Sequence, residues 1–149
     1  MKKLFAFVVF SFAGFILYAQ SPVSWSFSSK KISGKTYELH LTADIQSGWH
    51  LYSQEQPDDA IAIPTSVKFN NNPLLMPDGK VKEIGKLEKF KDKALGISAN
   101  QYSEKVDFVQ LVKLKATAKT NVSGTVEFQT CNDKKCLPPK TVSFNVTLK

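Results

Sequence analysis

The sequence predicts an all-β, immunoglobulin-like two-sheet sandwich, formed as a single domain behind an N-terminal export leader. Three observations carry that prediction. Apolar residues alternate with polar ones in five separate runs, turn residues punctuate the chain between runs, and no window holds a helical apolar stripe. About seven or eight strands in one domain of this size suit two packed antiparallel sheets.

The leader comes first. Lys2 and Lys3 form a positive start, residues 4–17 form an apolar stretch too short for a stable membrane span, and Ala19 offers a small residue for cleavage. The expected division is a signal peptide over residues 1–19 and one domain over residues 20–149, exported to the periplasm. No cysteine stands directly after the cleavage point, so no lipid anchor is expected, and no other stretch is apolar for long enough to span a bilayer, so no stable membrane insertion is expected. Roughly 130 residues are enough for one core without extra staples.

The formal charge is +7; without Lys2 and Lys3 the 20 basic residues become 18 against 13 acidic, a net +5. Every basic residue is Lys, spread along the chain. Nucleic-acid sites favour clustered Arg and Lys with aromatics, so the pattern argues against nucleic acid and for a soluble monomer with a scattered positive surface.

The strands follow in order. Val23, Trp25 and Phe27 alternate with serines, then Tyr37, Leu39, Leu41, Ala43 and Ile45 make the longest clean run. Val106, Phe108, Val112 and Leu114 repeat the pattern, interrupted at Gln110. Val122, Val126 and Phe128 follow, and Val142, Phe144, Val146 and Leu148 close the chain. Ser33-Gly34, Ser47-Gly48, Asn70-Asn71-Asn72-Pro73, Pro77-Asp78-Gly79 and Ser123-Gly124 read as turns between them. Trp25 and Trp49 are assigned to the core, and His40, on the polar face of a regular strand, has no assigned role. Residues 86–102 break the pattern: charged, with isolated apolar residues and Gly96, they read as a long loop of the kind that serves as a lid.

The chain has two cysteines, in the run Thr130-Cys131-Asn132-Asp133-Lys134-Lys135-Cys136-Leu137-Pro138-Pro139. Outside the cytoplasm such a pair forms a disulfide that persists. A loop this short contributes only about 2 kcal/mol in the chain-entropy model, against about 4.7 for a 100-residue loop. The spacing therefore inclines toward a bond that opens and closes. Extending the register of Val126 and Phe128 puts Cys131 on the polar face with Glu127 and Gln129, outside the core near a strand end. Cys136 falls almost opposite it on a returning strand, within disulfide reach. Pro138 and Pro139 mark an open edge and leave the face of Cys136 undetermined. Lys134 and Lys135 favour a thiolate, which Asp133 partly opposes. Two readings stand on these residues: a redox-active pair, or a hairpin staple in a secreted immunoglobulin-like binding module. Zinc needs more Cys and His than lie together here, and exchange on sulfur needs no metal or organic cofactor.

The run from Cys131 to Pro139 resembles the redox motif of the N-terminal periplasmic domain of the thiol:disulfide interchange protein DsbD. Gly48-Trp49-His50-Leu51-Tyr52-Ser53 looks like that family's aromatic strand, and Ile63-Pro64-Thr65 matches the segment after it; the resemblance spans about residues 25–148. It implies an immunoglobulin-like sandwich that passes electrons from a membrane thiol reductase to thioredoxin-like periplasmic partners. It also implies that Cys136 forms the mixed disulfides and that Cys131 resolves them. The better-known members have five residues between the cysteines; this chain has four. They also carry an aromatic cap residue before a Gly, where this chain reads Asp92-Lys93-Ala94-Leu95-Gly96. The cap is then either Leu95 or Phe90. Asp92 matches a carboxylate position near the pair, suited to assisting proton transfer. His50 and Tyr52 share one strand face, which the resemblance sets beside the cysteines; as residues alone they also read as ordinary rim positions. The resemblance places a membrane segment and a thioredoxin-like domain downstream in the better-known members. Neither is in this sequence, so the expected partners are met in trans and briefly.

Overall fold

A computed structural model describes residues 21–148, so the expected leader and its cleavage at Ala19 lie outside the described residues. Among the described residues nine strands follow one another: β1 (Val23–Ser33), β2 (Thr36–Ile45), β3 (His50–Tyr52), β4 (Ser66–Phe69), β5 (Leu75–Asp92), β6 (Ile97–Leu114), β7 (Thr120–Phe128), β8 (Thr130–Cys131) and β9 (Lys140–Leu148). They form two antiparallel sheets. The larger runs β1-β2-β6-β3-β8 with β5 also on β6; the smaller runs β4-β7-β9. β6 organises the larger sheet. β5 pairs along one edge of it, while β2 and then β3 take successive stretches of the other.

The alternation read from the sequence is the core. Tyr37, Leu39, Leu41, Ala43 and Ile45 of β2 are all buried, and they meet Val106, Phe108, Val112 and Leu114 of β6. Val122, Val126 and Phe128 of β7 and Phe144, Val146 and Leu148 of β9 supply the facing layer. An aromatic chain joins the two layers: the Trp25 ring lies 5.3 Å from Phe128 and 5.8 Å from Phe108, and Phe27 lies 5.7 Å from Phe144. Those spacings fall in the favourable range for ring pairs. Trp25 and Trp49 pack against this core.

Three sequence expectations are corrected. Residues 86–102 are not a loop: β5 and β6 pair through this stretch from Leu87↔Tyr102 to Asp92↔Ile97, leaving a turn at residues 93–96. The outer part of β5 is mostly solvent-exposed, so nothing forces its residues to alternate, and the pairing with β6 supplies the strand. Ser123-Gly124 is not a turn but the middle of β7, where a Cβ on Gly124 would sit 2.1 Å from the Lys68 carbonyl oxygen and 2.6 Å from Phe144 Cζ. Glycine is there to let another strand and a ring approach. Pro77-Asp78-Gly79 does not separate strands either; it is an irregularity inside β5, with Gly79 at φ 73°. The buried Gln110 that breaks the β6 alternation donates its amide to the Asp78 and Gly79 carbonyls at 3.0 and 3.3 Å. The two irregularities answer each other: freed carbonyls need a donor, and a buried donor needs acceptors.

Candidate functional site

After Phe128 the chain leaves the smaller sheet and joins the edge of the larger one as β8, with Thr130 opposite Leu51 and Cys131 opposite His50. A tight turn follows. The Asn132 side-chain oxygen accepts the backbone N–H groups of Lys134 and Lys135 at 3.0 and 2.9 Å, the turn-forming use of this residue. Backbone bonds from Asn132 to Lys135 and from Leu137 to Thr130, both 2.9 Å, lie on either side of the cysteines. Cys131 and Cys136 are therefore a directly opposed pair without ladder bonds of its own, the type with the closest side chains. Their disulfide is formed, with the Cα atoms 4.0 Å apart.

Directly opposed residues in a sheet project to the same face. His50, Cys131 and Cys136 thus form a row across three adjacent segments. Leu51 and Tyr102 point the other way, into the main core. The cysteine row occupies the outer face of the larger sheet, as the register of β7 suggested. Cys131 is nonetheless not exposed: it is 4% accessible, in a small separate cluster with Tyr52 and Ala99 against which Ala62 packs. Cys136 is exposed.

Two segments cover Cys131 and leave a cavity of about 580 Å³ beside the pair. One wall, with Ile61 and Ala62, is the connection over residues 53–65. It is fastened to β6 by bonds from Gln56 Nε2 to the Asn100 carbonyl (2.6 Å) and from Asn100 N–H to Gln56 Oε1 (3.0 Å). The Thr65 hydroxyl to the Tyr52 carbonyl (2.5 Å) and the Ile63 N–H to Gln129 Oε1 (3.0 Å) hold its far end. The other wall is the outer end of the β5–β6 hairpin, with Phe90, Ile97, Ser98 and Ala99. Ser98 also donates to Asp59, which joins the two walls.

The residues expected at the site divide. Cys131, Cys136, His50, Tyr52 and Phe90 all line this cavity. Leu95 and Asp92 do not: Leu95 stands 71% exposed at the hairpin tip, and the Asp92 carboxylate accepts the N–H groups of Ala94 and Leu95 at 2.8 and 3.1 Å. Asp92 closes its own turn. Lys134 and Lys135 are exposed on the cysteine turn, outside the lining. The His50 Nδ1 lies 3.2 Å from Ser103 Oγ, which in turn donates to Glu88 at 3.0 Å. Its Nε2 lies 3.7 Å from the Asp133 carboxylate. Burial pushes the Tyr52 hydroxyl above its ordinary range, so it stays protonated.

Sequence reasoning gave no site role to Ile61, Ala62, Ser98, Ala99, Gln101, Gln129 and Asn132, which also line the cavity. Asn132 was open to detection, because Asn followed by charged residues is a turn signal. Small residues such as Ala62 and Ala99 carry no local mark; only the fold brings them over a cysteine.

The family model described as the N-terminal part of the thiol:disulfide interchange protein DsbD matches residues 17–148. The chain belongs to this family. Among solved structures, it is similar to the Neisseria meningitidis DsbD N-terminal domain in the reduced form, with TM-score 0.50 and 18% identity over 73% of this chain and 75% of that one. It is similar also to the N-terminal periplasmic domain of ScsB from Proteus mirabilis, with TM-score 0.51 and 15% identity over 83% of this chain and 44% of that one. A third likeness is to the complex between the DsbD N-terminal and PilB N-terminal domains of Neisseria meningitidis, with TM-score 0.51 and 16% identity over 89% and 88%. At these identities the likenesses establish the DsbD N-terminal fold. No curated protein matches the chain.

Proposed function

We propose that this DsbD-type domain is a thiol–disulfide carrier of the periplasm, a single domain over residues 20–149 after removal of its leader, working through Cys131 and Cys136. The observation that carries the roles is the inequality of the two sulfurs. Cys136 is exposed, whereas Cys131 is 4% accessible beneath its cover. A partner's disulfide can meet the first and not the second. In the reduced state the Cys136 thiolate attacks a partner disulfide, and the mixed disulfide forms as one partner sulfur leaves. Cys131 then attacks Cys136, the internal bond closes, and the reduced partner departs with the electron pair. Support for the opened state comes from a relative of this fold described in a reduced form.

The partners proposed are thioredoxin-like proteins and a membrane thiol reductase. A DsbD N-terminal domain of this fold is known in complex with a PilB N-terminal domain, which supports docking of a separate protein domain. Turnover requires release, so the interface belongs to the small class, below about 1,200 Å².

Trapping tests this reading. Cys131→Ala, reduced and mixed with an oxidised thioredoxin, should accumulate a covalent complex through Cys136. Cys136→Ala should accumulate little. Equal trapping by both variants would reverse or abolish the assignment of roles, and no trapping by either would leave the disulfide a staple in a binding module.

A further inference from the structure

Resolution of the mixed disulfide asks most of Cys131. It must ionise in order to attack, yet it lies in an apolar cluster with Tyr52 and Ala99, and such surroundings hold a thiol protonated. The residue directly opposite it on the neighbouring strand is His50, whose ring lines the same cavity. Opposed side chains of this kind stand about 4.5–5.5 Å apart at Cβ.

The hydrogen bonds orient the ring. The Ser103 hydroxyl has one proton and gives it to Glu88, a carboxylate that can only accept. Ser103 Oγ therefore accepts from His50, which places a hydrogen on Nδ1 and leaves the Nε2 lone pair of the neutral ring free to take a proton. Facing the ring are Glu88 through Ser103, Asp133 from the cysteine turn at 3.7 Å, Tyr52 on its own strand, and the two cysteines. Lys134 and Lys135 stand exposed on the same turn.

We propose that His50 is the general base for the resolving cysteine, with Ser103 and Glu88 as positioning residues. The proposal rests on the carrier reading above. The Cys131 thiol hands its proton to His50 Nε2, and its sulfur attacks Cys136 Sγ. The Cys131–Cys136 bond forms as the bond from Cys136 to the partner breaks. The partner sulfur leaves with the electron pair, and the imidazolium supplies its proton. Two electrons pass from the dithiol to the partner over the whole cycle, with no other oxidant.

The experiment uses the reduced protein and a substoichiometric aromatic nitrobenzoate disulfide, whose released thiolate is yellow. The first equivalent released reports attack by Cys136, and the second reports resolution by Cys131. His50→Gln keeps a group that can bond Ser103 but cannot serve as a base near neutrality. It should slow the second release by roughly a hundredfold at pH 7 and leave the first nearly unchanged. The wild-type second phase should carry a pH dependence that His50→Gln loses, and added imidazole should restore part of the rate. Ser103→Ala should alter that pH dependence. A second phase with unchanged rate and pH profile in His50→Gln overturns the assignment, as does equal slowing of both phases. Absence of the first release in the wild-type protein overturns the carrier reading instead.

Discussion

At the scale of single residues, exposure decides chemistry. Leu95 holds the sequence position beside Gly96 where an aromatic cap was expected, yet its side chain is 71% exposed and stands away from the cavity. Phe90, 47% exposed, is the large side chain of β5 that reaches the cavity lining. Its backbone partner is Ala99, a residue of the cluster around Cys131. If shielding matters, Phe90→Ala should speed reduction of the disulfide by glutathione severalfold, while Leu95→Ala should leave the rate unchanged. The reverse order of effects, measured as pseudo-first-order rates at one glutathione concentration, would return the cap to the hairpin tip. The cysteines separate in the same way: adjacent in space and joined by a bond, they differ in which one solvent can reach.

At the scale of elements, the informative positions are those where a local rule is broken and another strand explains it. Gly124 is a turn residue by propensity, but in β7 it is the place where the Lys68 backbone and the Phe144 ring come closest. Gly124→Ala should destabilise the protein by about 3 kcal/mol, the upper part of the overpacking range, because a carbonyl of the paired strand β4 cannot swing aside as a side chain can. The check is a urea midpoint that falls with no change in slope. An unaltered midpoint would mean β4 is free to shift. The β5–β6 hairpin teaches the complementary lesson. Its outer β5 segment is mostly exposed, whereas Ala99, Gln101 and Tyr102 of β6 beside it are buried, so pairing with β6 holds that part of β5 and the hydrophobic period of the sequence is silent there.

Across the whole molecule, Glu83 ties the site's cover to the sandwich. Its carboxylate accepts from the Ser53 hydroxyl at 2.7 Å, the Gln54 N–H at 2.6 Å and the Tyr102 hydroxyl at 2.7 Å, joining β5, β6 and the start of the covering connection. Burial, reinforced by that bond to a carboxylate, holds the Tyr102 hydroxyl well above the ordinary tyrosine range. The consequence for stability has a definite sign. Below about pH 10 both folded and unfolded chains keep the proton and stability is undiminished. Above it the unfolded chain releases a proton that the folded chain retains, so stability falls as pH rises. Burial of Tyr52 acts in the same direction. Tyr102→Phe should lower stability at neutral pH, because Glu83 loses a donor, and should flatten the alkaline limb of a urea-unfolding series. An alkaline slope equal to that of the wild type would show that Tyr102 does not control it.

The sequence by itself determined the fold class, the core face of β1, β2, β6, β7 and β9, and the opposition of Cys131 and Cys136 across a tight turn. All of these follow from a period of two and from turn chemistry, which are local. It also marked His50 and Tyr52, through the motif around them. Tertiary structure alone decided the rest. After β7 the chain crosses from the smaller sheet to lie against β3 as β8, which turns a cysteine on a polar face into a buried one. The connection over residues 53–65 and the β5–β6 hairpin meet above it, and their small residues show their use only there. Asp92, matched by resemblance to a site position, spends its carboxylate on its own turn. Accessibility of one sulfur and burial of the other depend on segments tens of residues away in the chain, and no local pattern encodes a distance of that kind.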